Sequence, residues 1–265
     1  MSFVLAADRA IAFRIGSLEV RWYGILIAFA MLLGILIAMK QAKKHHLTED
    51  DVITLCLFML PAAILGARIY FVIFYGVPFS DILKIRNGGL AFHGGLIAAV
   101  LVVLIYAKVK GQKFFAWADT LIPSCILGQA IGRWGNYFNG EAYGTVTDLP
   151  WAILIDGVPR HPTFLYESIA DFLIFLFLLW LLSPKRKGWQ ENYKEGSALA
   201  WYLILYSLAR FFVEGLRTDS LYIGPLRVAQ VVSIVLILIG VGLLLYLRKY
   251  GGPPQPARRA KKERP

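Results

Sequence analysis

The chain has 265 residues, of which 58% are hydrophobic and 17% charged, and its mean hydropathy is +0.60. Soluble domains average about 45–50% apolar residues, so this composition excludes a soluble globular protein and indicates an integral membrane protein. The formal net charge of +11 does not point to nucleic acid, because the basic residues lie in short clusters between apolar segments, as in membrane-protein loops.

Two segments outside the long apolar runs have the sequence pattern of short β-strands. Residues 12–20 alternate in polarity around Gly16-Ser17, and residues 151–158 turn at Asp156-Gly157, a favoured hairpin dipeptide. We expect these two segments to form a small extracytoplasmic cap. The N-terminus lacks the basic region and small-residue cleavage site of a signal peptide, so none is expected to be removed.

About 20 mostly apolar residues suffice to cross a bilayer as a helix, and seven stretches of this chain qualify. The predicted spans run approximately from Trp22 to Met39, Val52 to Tyr75, Leu90 to Tyr106, Phe115 to Ile131, Phe164 to Leu182, Ala198 to Val213 and Val228 to Leu247. The predicted fold class is therefore an all-α polytopic membrane protein. Cys56 and Cys125 lie inside these runs without CxxC spacing, so neither a metal site nor a structural disulfide is expected.

The distribution of Lys and Arg predicts the orientation of the spans. Of the 28 such residues, seventeen follow the first, third, fifth and seventh spans and nine lie at the opposite side. The N-terminus is therefore predicted outside and the C-terminus in the cytoplasm. Residues 1–250 are expected to form a single integral membrane domain, and the Pro-rich basic segment 251–265 a disordered cytoplasmic tail.

Four polar residues are predicted at the outward ends of their spans. Tyr23 begins the first span, His93 begins the third, Arg133 closes the fourth and Arg210 lies near the end of the sixth. These ends share one membrane level. Because ionisable residues within membrane spans usually mark function, this level is the candidate site.

The sixth span carries a polar stripe. Tyr206, Arg210, Glu214 and Arg217 follow at i, i+4, i+8 and i+11, which places them on one helix face. The stripe is either part of a functional site or a structural seam in which Arg210 and Glu214 neutralise each other. Arg68, deeper in the second span, is compatible with packing against a carboxylate or with substrate contact.

His93 is flanked by glycines, which allow a backbone or a ligand to approach closely. It is either a catalytic group or a histidine held by ordinary hydrogen bonds. The other histidines do not share a helix face with it at ligand spacing, so no metal is predicted.

Two arginines at an outer membrane level require an anion. Lipid phosphate is the abundant anion there, and the planar guanidinium binds phosphate oxygens in bidentate fashion. A phospholipid is therefore the first substrate hypothesis. The sequence has no GxSxG motif and no cysteine beside a histidine, so no nucleophile of the chain itself is predicted.

The polar segment Gly132 to Gly144 carries a family resemblance. It resembles the signature Gly-Arg-x-Gly/Ala-Asn-Phe-x-Asn-x-Glu-x-x-Gly of the prolipoprotein diacylglyceryl transferases, with Tyr137 standing where the pattern has Phe. Further family-like pieces follow the same order along the chain: Trp22-Tyr23-Gly24, Phe92-His93-Gly94-Gly95-Leu96, Arg160-His161-Pro162-Thr163 with Tyr166-Glu167, and Arg210-Phe-Phe-Val-Glu214 followed by Arg217.

The resemblance implies a bacterial inner-membrane enzyme with seven spans and an active site on the extracytoplasmic side. Such an enzyme moves the diacylglyceryl group of phosphatidylglycerol to the lipobox cysteine of a prolipoprotein signal peptide, forms a thioether and releases glycerol phosphate. It uses no metal or organic cofactor and has membrane lipids, not nucleic acid, as further partners. Carried over by motif, the site residues are Tyr23, His93, Arg133, Asn136, Glu141, Gly144, Arg210, Glu214 and Arg217.

The resemblance also suggests roles within this set. Arg133 and Arg210 are expected to hold the phosphate and stabilise its developing charge, and the substrate thiol is expected to be deprotonated near His93 or near the arginines. Asn136 and Glu141 either orient the arginines or, in the case of Glu141, contact the glycerol headgroup. The remaining residues, Tyr23, Gly144, Glu214 and Arg217, are expected to bind substrate.

Two other classes of protein compete with this interpretation. An anionic-lipid transporter or flippase would also use outward arginines, but we expect internal repeats or polar groups in the cytoplasmic half of such a protein. A structural scaffold would not account for a Gly-rich polar motif at a span end.

Overall fold

The computed structural model of the protein describes residues 10–16, 18–78, 82, 89–184 and 192–254. Most of the predicted C-terminal tail, from residue 255 on, lies outside these ranges. The helices are α1 (Trp22–Ala42), α2 (Glu49–Tyr75), α3 (Phe92–Val109), α4 (Phe114–Asn139), α5 (Thr163–Leu181), α6 (Ser197–Glu214) and α7 (Val228–Tyr250). The strands are β1 (Ile11–Ile15), β2 (Leu18–Arg21), β3 (Ile153–Ile155), β4 (Val158–Arg160), β5 (Tyr222–Ile223) and β6 (Leu226–Arg227).

Within the described residues, seven helices are long and apolar enough to cross a membrane. The predicted all-α polytopic fold class is confirmed. Large hydrophobic side chains such as Leu57, Phe58 and Leu238 lie exposed along these helices, as expected for surfaces that face lipid rather than water.

The predicted end of the fourth span is wrong by eight residues. α4 continues past Ile131 to Asn139 and stops only where Gly140 adopts a positive φ of 68°, a common C-terminal helix signal. The first half of the polar motif is therefore helical. Its aromatic residues support the extra turns, because Phe138 stacks on Trp22 with ring centroids 5.2 Å apart.

The described residues divide into two compact units. The first unit comprises the chain up to Ala38 together with Ala118–Pro253, and the second comprises Met39–Trp117. The candidate site residues other than His93 belong to the first unit.

In the first unit, three antiparallel hairpins precede or connect the helices. The two predicted ones are present: β1 pairs with β2, and β3 with β4 around Asp156, whose φ is 52°. The β5–β6 hairpin was not predicted, because two-residue strands leave no alternating pattern to read. The segment after α4 joins two of these regions through isolated bridges from Gly144 to Arg217 and from Val146 to Arg160.

In the second unit, α2 and α3 approach closely at glycines. A Cβ on Gly94 would lie 2.3 Å from the carbonyl oxygen of Gly66, and one on Gly66 would lie 2.5 Å from the Cβ of Ala98. Gly94, next to His93, therefore serves the approach of one helix backbone to another.

Arg68 is buried in the second unit and bonds to backbone carbonyl groups. Its Nε and Nη1 donate hydrogen bonds to the carbonyl oxygens of Ile82 and Gly89, each at 3.1 Å. These two backbone contacts are consistent with the packing alternative for this residue.

Candidate functional site

Three arginines of the first unit gather on one buried carboxylate. Glu167, on the second turn of α5, forms salt bridges with Arg133 of α4, with Arg210 of α6 at 2.5 Å and with Arg217 at 3.5 Å. Only 6% of the Glu167 side chain is exposed, whereas Arg133 and Arg210 are each 20% exposed. Residues 77 positions apart in sequence thus share one counterion, and part of each of these two arginine side chains stays accessible.

Near the C-terminal end of α6, Arg210 forms a second salt bridge. Arg210 Nη2 lies 2.6 Å from Glu214, one helical turn further on. The ion-pair alternative for the polar stripe is therefore present in the structure. It does not account for the arrangement alone, because Arg210 bonds to Glu167 at the same time.

Arg217 reaches this cluster from outside the helix. α6 ends at Glu214 with Gly215 as its C-terminal cap, so the predicted continuation of the helical stripe to Arg217 is wrong. Its guanidinium forms two hydrogen bonds with Asp219, at 2.8 and 2.6 Å. These bonds hold the pKa of the Asp219 carboxyl below its usual range. We name Arg133, Arg210, Arg217, Glu167 and Glu214 the guanidinium cluster.

α4 and α5 are fixed against each other beside the cluster. Ser168, which follows Glu167, donates to the carbonyl oxygen of Ala130 at 2.8 Å and accepts from the indole of Trp134 at 3.1 Å. Arg133 lies between these two residues of α4. The packing therefore sets the register that brings Arg133 to Glu167.

A further carboxylate lies one turn deeper on α5. Asp171 is 2% exposed and interacts electrostatically with Arg133, Glu167 and Arg210. Sequence reasoning overlooked both it and the central role of Glu167. The available signal was two acidic residues at i and i+4 within an apolar span, a spacing that places both on one helix face.

Asn136 and Glu141 contact each other at the end of α4. Glu141 Oε1 accepts hydrogen bonds from the amides of Asn136, at 2.9 Å, and Asn139, at 3.2 Å. The described contacts of the pair are with each other and with Asn139. They do not include the arginines, so the alternative in which this pair orients the arginines gains no support.

Gly144 holds the loop after α4 against its neighbours. Its N–H donates to the carbonyl oxygen of His161 at 2.9 Å, and a Cβ there would lie 2.7 Å from the Cβ of His161 and 3.0 Å from the carbonyl oxygen of Leu216. Only glycine fits this approach without a shift. The position thereby supports the chain segment from which Arg217 projects.

Tyr23 packs on the signature motif itself. A Cβ on Gly135 would lie 2.3 Å from the ring carbon Cδ2 of Tyr23, so the glycine makes room for the ring. The Tyr23 side chain remains 43% exposed and is available for contact with lipid.

His93 lies in the second unit, on the first turn of α3. Its ring is exposed and lies 6.2 Å from the ring of Tyr70, measured between centroids. Eight of the nine predicted site residues therefore belong to the first unit and His93 to the second. Among the eight, the described ion pairs join Arg133, Arg210, Glu214 and Arg217 through Glu167 or directly.

Comparison with known proteins identifies the family. The family model for prolipoprotein diacylglyceryl transferase matches residues 10–246. A Finegoldia magna protein is 50% identical over 90% of this chain and 96% of its own length, and a Clostridioides difficile protein is 49% identical over 90% and 95%. A Clostridium botulinum protein is 46% identical over 87% and 94%, and all three are named phosphatidylglycerol–prolipoprotein diacylglyceryl transferase. As the signature at Gly132 to Gly144 predicts, the chain belongs to the prolipoprotein diacylglyceryl transferase family.

Proposed function

We propose that this membrane enzyme transfers the diacylglyceryl group of phosphatidylglycerol to the lipobox cysteine of a prolipoprotein. The thiol sulfur forms a thioether with the lipid carbon, and glycerol phosphate leaves. Family membership supports the reaction class. The observation that carries the assignment to this site is the convergence of Arg133, Arg210 and Arg217 on Glu167.

Arg133 and Arg210 are proposed to hold the lipid phosphate. Each guanidinium carries five N–H donors in a planar fork, and Glu167 holds one terminal nitrogen of each. This contact orients the guanidinium, and the N–H groups that the carboxylates leave unused are proposed to bind the phosphate. As the carbon–oxygen bond breaks, a second negative charge develops on that phosphate, and preoriented cations lower the barrier by several kcal/mol (about 3–4 per lost donor in comparable sites).

The other predicted residues are proposed to support this contact. Glu214 fixes the second nitrogen of Arg210, and Arg217 adds a third cation. Asn136 and Glu141 form a polar pair that suits the glycerol hydroxyl groups of the lipid headgroup. Tyr23 is proposed to line the lipid beside Gly135, and Gly144 to position the loop.

The nucleophile in this proposal is the substrate cysteine. A thiol with a pKa of about 8.5 needs only modest assistance to ionise at neutral pH. His93 is the sequence-based prediction for a group that assists it. Comparing His93→Gln with the unchanged enzyme over pH 6 to 9 tests that prediction, since an unaltered rate and profile would leave the residue structural.

The proposed location is the bacterial inner membrane, with the guanidinium cluster at the extracytoplasmic side. The excess of Lys and Arg at the opposite ends of the spans supports this orientation. Labelling of single cysteines introduced at Asp156 and at Lys113 in intact cells tests it, because only the former is expected to react with an impermeant reagent.

The decisive experiment replaces the planar guanidinium group of each arginine by the ammonium group of lysine, which keeps the positive charge. Purified protein is incubated with phosphatidylglycerol and a lipobox peptide, and the diacylglyceryl thioether is measured by mass. Arg133→Lys and Arg210→Lys are each expected to lower the rate about 100-fold, whereas Arg14→Lys, on the β1–β2 hairpin, is the matched control and should have no effect. Wild-type rates in both variants would refute phosphate recognition by these residues. A transporter or scaffold would yield no thioether from the unchanged protein.

A further inference from the structure

One oxygen of the buried Asp171 carboxylate has no hydrogen-bond donor in the described part of the chain. The side chain is 2% exposed, and the oxygen concerned is Oδ2. A buried acceptor without a donor costs about 1–3 kcal/mol, and more when it is charged. The nearby charges of Arg133 and Arg210 offset part of this cost, and the Oδ2 atom still has an unused capacity to accept a hydrogen bond.

The charged and titratable groups around Asp171 come from three helices. They are Cys125 and Arg133 on α4, Glu167 on α5, and Tyr202, Tyr206 and Arg210 on α6. In the described part of the chain, salt bridges pair the three arginines with Glu167, Glu214 and Asp219, and Asp171 takes part in none. Of these four carboxylates, Asp171 is therefore the one that can accept a proton without the loss of a salt bridge.

The position of Asp171 matches the direction from which a nucleophile must attack. It follows Glu167 by one turn of α5, which places it about 6 Å further into the membrane span. This step rests on the proposed function: with the lipid phosphate at Arg133 and Arg210, the diacylglycerol carbon lies on the membrane side of that phosphate. A thiol in line with the breaking bond lies about 3–3.5 Å beyond that carbon, at the level of Asp171.

We propose that the Asp171 carboxylate takes the proton from the substrate cysteine thiol. The proton moves from sulfur to Oδ2 as the sulfur–carbon bond forms. The carbon–oxygen bond breaks, and its electron pair stays on the phosphate oxygen held by Arg133 and Arg210. Glycerol phosphate then carries the proton away from Asp171, which restores the carboxylate without any change of oxidation state.

The first test follows the rate of thioether formation against pH in Asp171→Asn. The amide keeps the shape of the side chain and cannot act as a base between pH 6.5 and pH 9.5. We expect a loss of about 100-fold at pH 6.5 that shrinks towards pH 9.5, where the thiol ionises unaided. The apparent KM for phosphatidylglycerol is expected to change by less than about threefold, because the phosphate contacts remain.

The second test supplies a nucleophile that needs no base. In a lipobox peptide with selenocysteine in place of cysteine, the selenol group is ionised at neutral pH. The Asp171→Asn enzyme should therefore use this peptide at nearly the wild-type rate. Arg133→Lys should stay slow with either peptide, because its defect lies in phosphate binding. Cys125→Ser is the control for the neighbouring thiol of the enzyme and should behave as wild type with both peptides.

Several results would overturn the proposal. These are a wild-type pH profile in Asp171→Asn, an equal defect with both peptides, or loss of the pH dependence in His93→Gln with its retention in Asp171→Asn. If Asp171→Asn does not fold, Asp171→Ser replaces it, and failure of both to fold would assign the residue a purely structural role. Absence of any thioether from the wild-type enzyme would instead refute the proposed function itself, so the two failures are distinct.

Discussion

The two ends of α4 each carry a polar cluster inside the first unit, and the clusters differ in how completely their hydrogen bonds are used. Near the start of the helix, Asp119 is fully buried and accepts hydrogen bonds from the hydroxyl of Tyr193 and from the backbone N–H groups of Gly196, at 2.6 Å, and Leu199, at 3.0 Å. About 21 Å along the helix, Arg133 is part of the guanidinium cluster and remains partly exposed.

We interpret the difference as that between a structural buried charge and the proposed functional one. The Asp119 carboxylate satisfies the unpaired N–H groups at the start of α6, as a side-chain cap does, and its donors all belong to the protein. The guanidinium cluster has more N–H donors than its carboxylates use, and the side chains of Arg133 and Arg210 remain partly exposed. Burial and charge alone would not distinguish the two ends, whereas the unused hydrogen-bonding capacity does.

The largest expected effect comes from neutralising the centre of the guanidinium cluster. Glu167→Gln leaves Arg133 and Arg210 without their shared counterion, and breaking one partner of a buried ion pair costs about 3–5 kcal/mol. We expect that loss in thermal unfolding of the detergent-solubilised protein, together with at least a 100-fold drop in transfer, comparable to the loss of a preoriented donor.

The matched control is Glu19→Gln on the β1–β2 hairpin. Glu19 also pairs with an arginine, Arg14, at 3.0 Å, but both side chains are exposed, so the change should cost less than about 1 kcal/mol. Equal stability losses in the two variants would contradict a special role for the buried carboxylate.

Asp119→Ala should destabilise the protein by about 3 kcal/mol, because it removes a helix cap and leaves buried donors unsatisfied. Unlike Glu167→Gln, it should leave the transfer rate per folded molecule within about twofold of wild type at a temperature where both proteins are folded. Asp119→Asn retains one acceptor oxygen and should lose less stability. A catalytic defect in the folded Asp119→Ala protein would undermine the distinction between the two ends.

Gly135→Ala tests the packing of Tyr23 on the guanidinium end of α4. The added Cβ would lie 2.3 Å from the tyrosine ring, so the ring must move, at a cost of about 1–3 kcal/mol. Gly128→Ala, on the same helix with nothing within 4 Å of its Cβ, should instead be neutral or stabilising by about 0.5–1 kcal/mol. Thermal unfolding of the pair measures the difference, and similar values would show that Tyr23 does not depend on this glycine.

The sequence was sufficient for the seven spans and the family, because both depend on local patterns: long apolar runs and a motif of thirteen residues. It also indicated Arg133 and Arg210 as candidate site residues, since a charged group in an apolar run stands out, and the structure pairs both with Glu167. The end of α4 was misplaced because glycine and polar residues usually end a helix, whereas here Tyr23 and Trp22 pack on those very turns.

The carboxylates were harder to assign than the arginines. Glu167 lies at the start of an apolar span, where an acidic residue also has an ordinary role near a helix N-terminus. Its contacts with residues 34 positions before and 43 after it are long-range, and no local pattern encodes them. Asp119 was overlooked for the same reason, because its partners follow it by more than 70 positions.

The smallest expected effect concerns Asp219, at the exposed edge of the guanidinium cluster. Hydrogen bonds from Arg217 lower the pKa of Asp219, so the folded state favours the ionised carboxylate. The resulting stabilisation is complete above the unfolded pKa of about 3.9 and is lost as the pH falls through the lower folded value. Because half of the Asp219 side chain is exposed, the contribution should be less than about 1 kcal/mol and should weaken with salt. Unfolding of wild type and Asp219→Asn should therefore differ slightly at pH 7 and converge below pH 3, and a difference that grew on acidification would show that Asp219 is not held by Arg217.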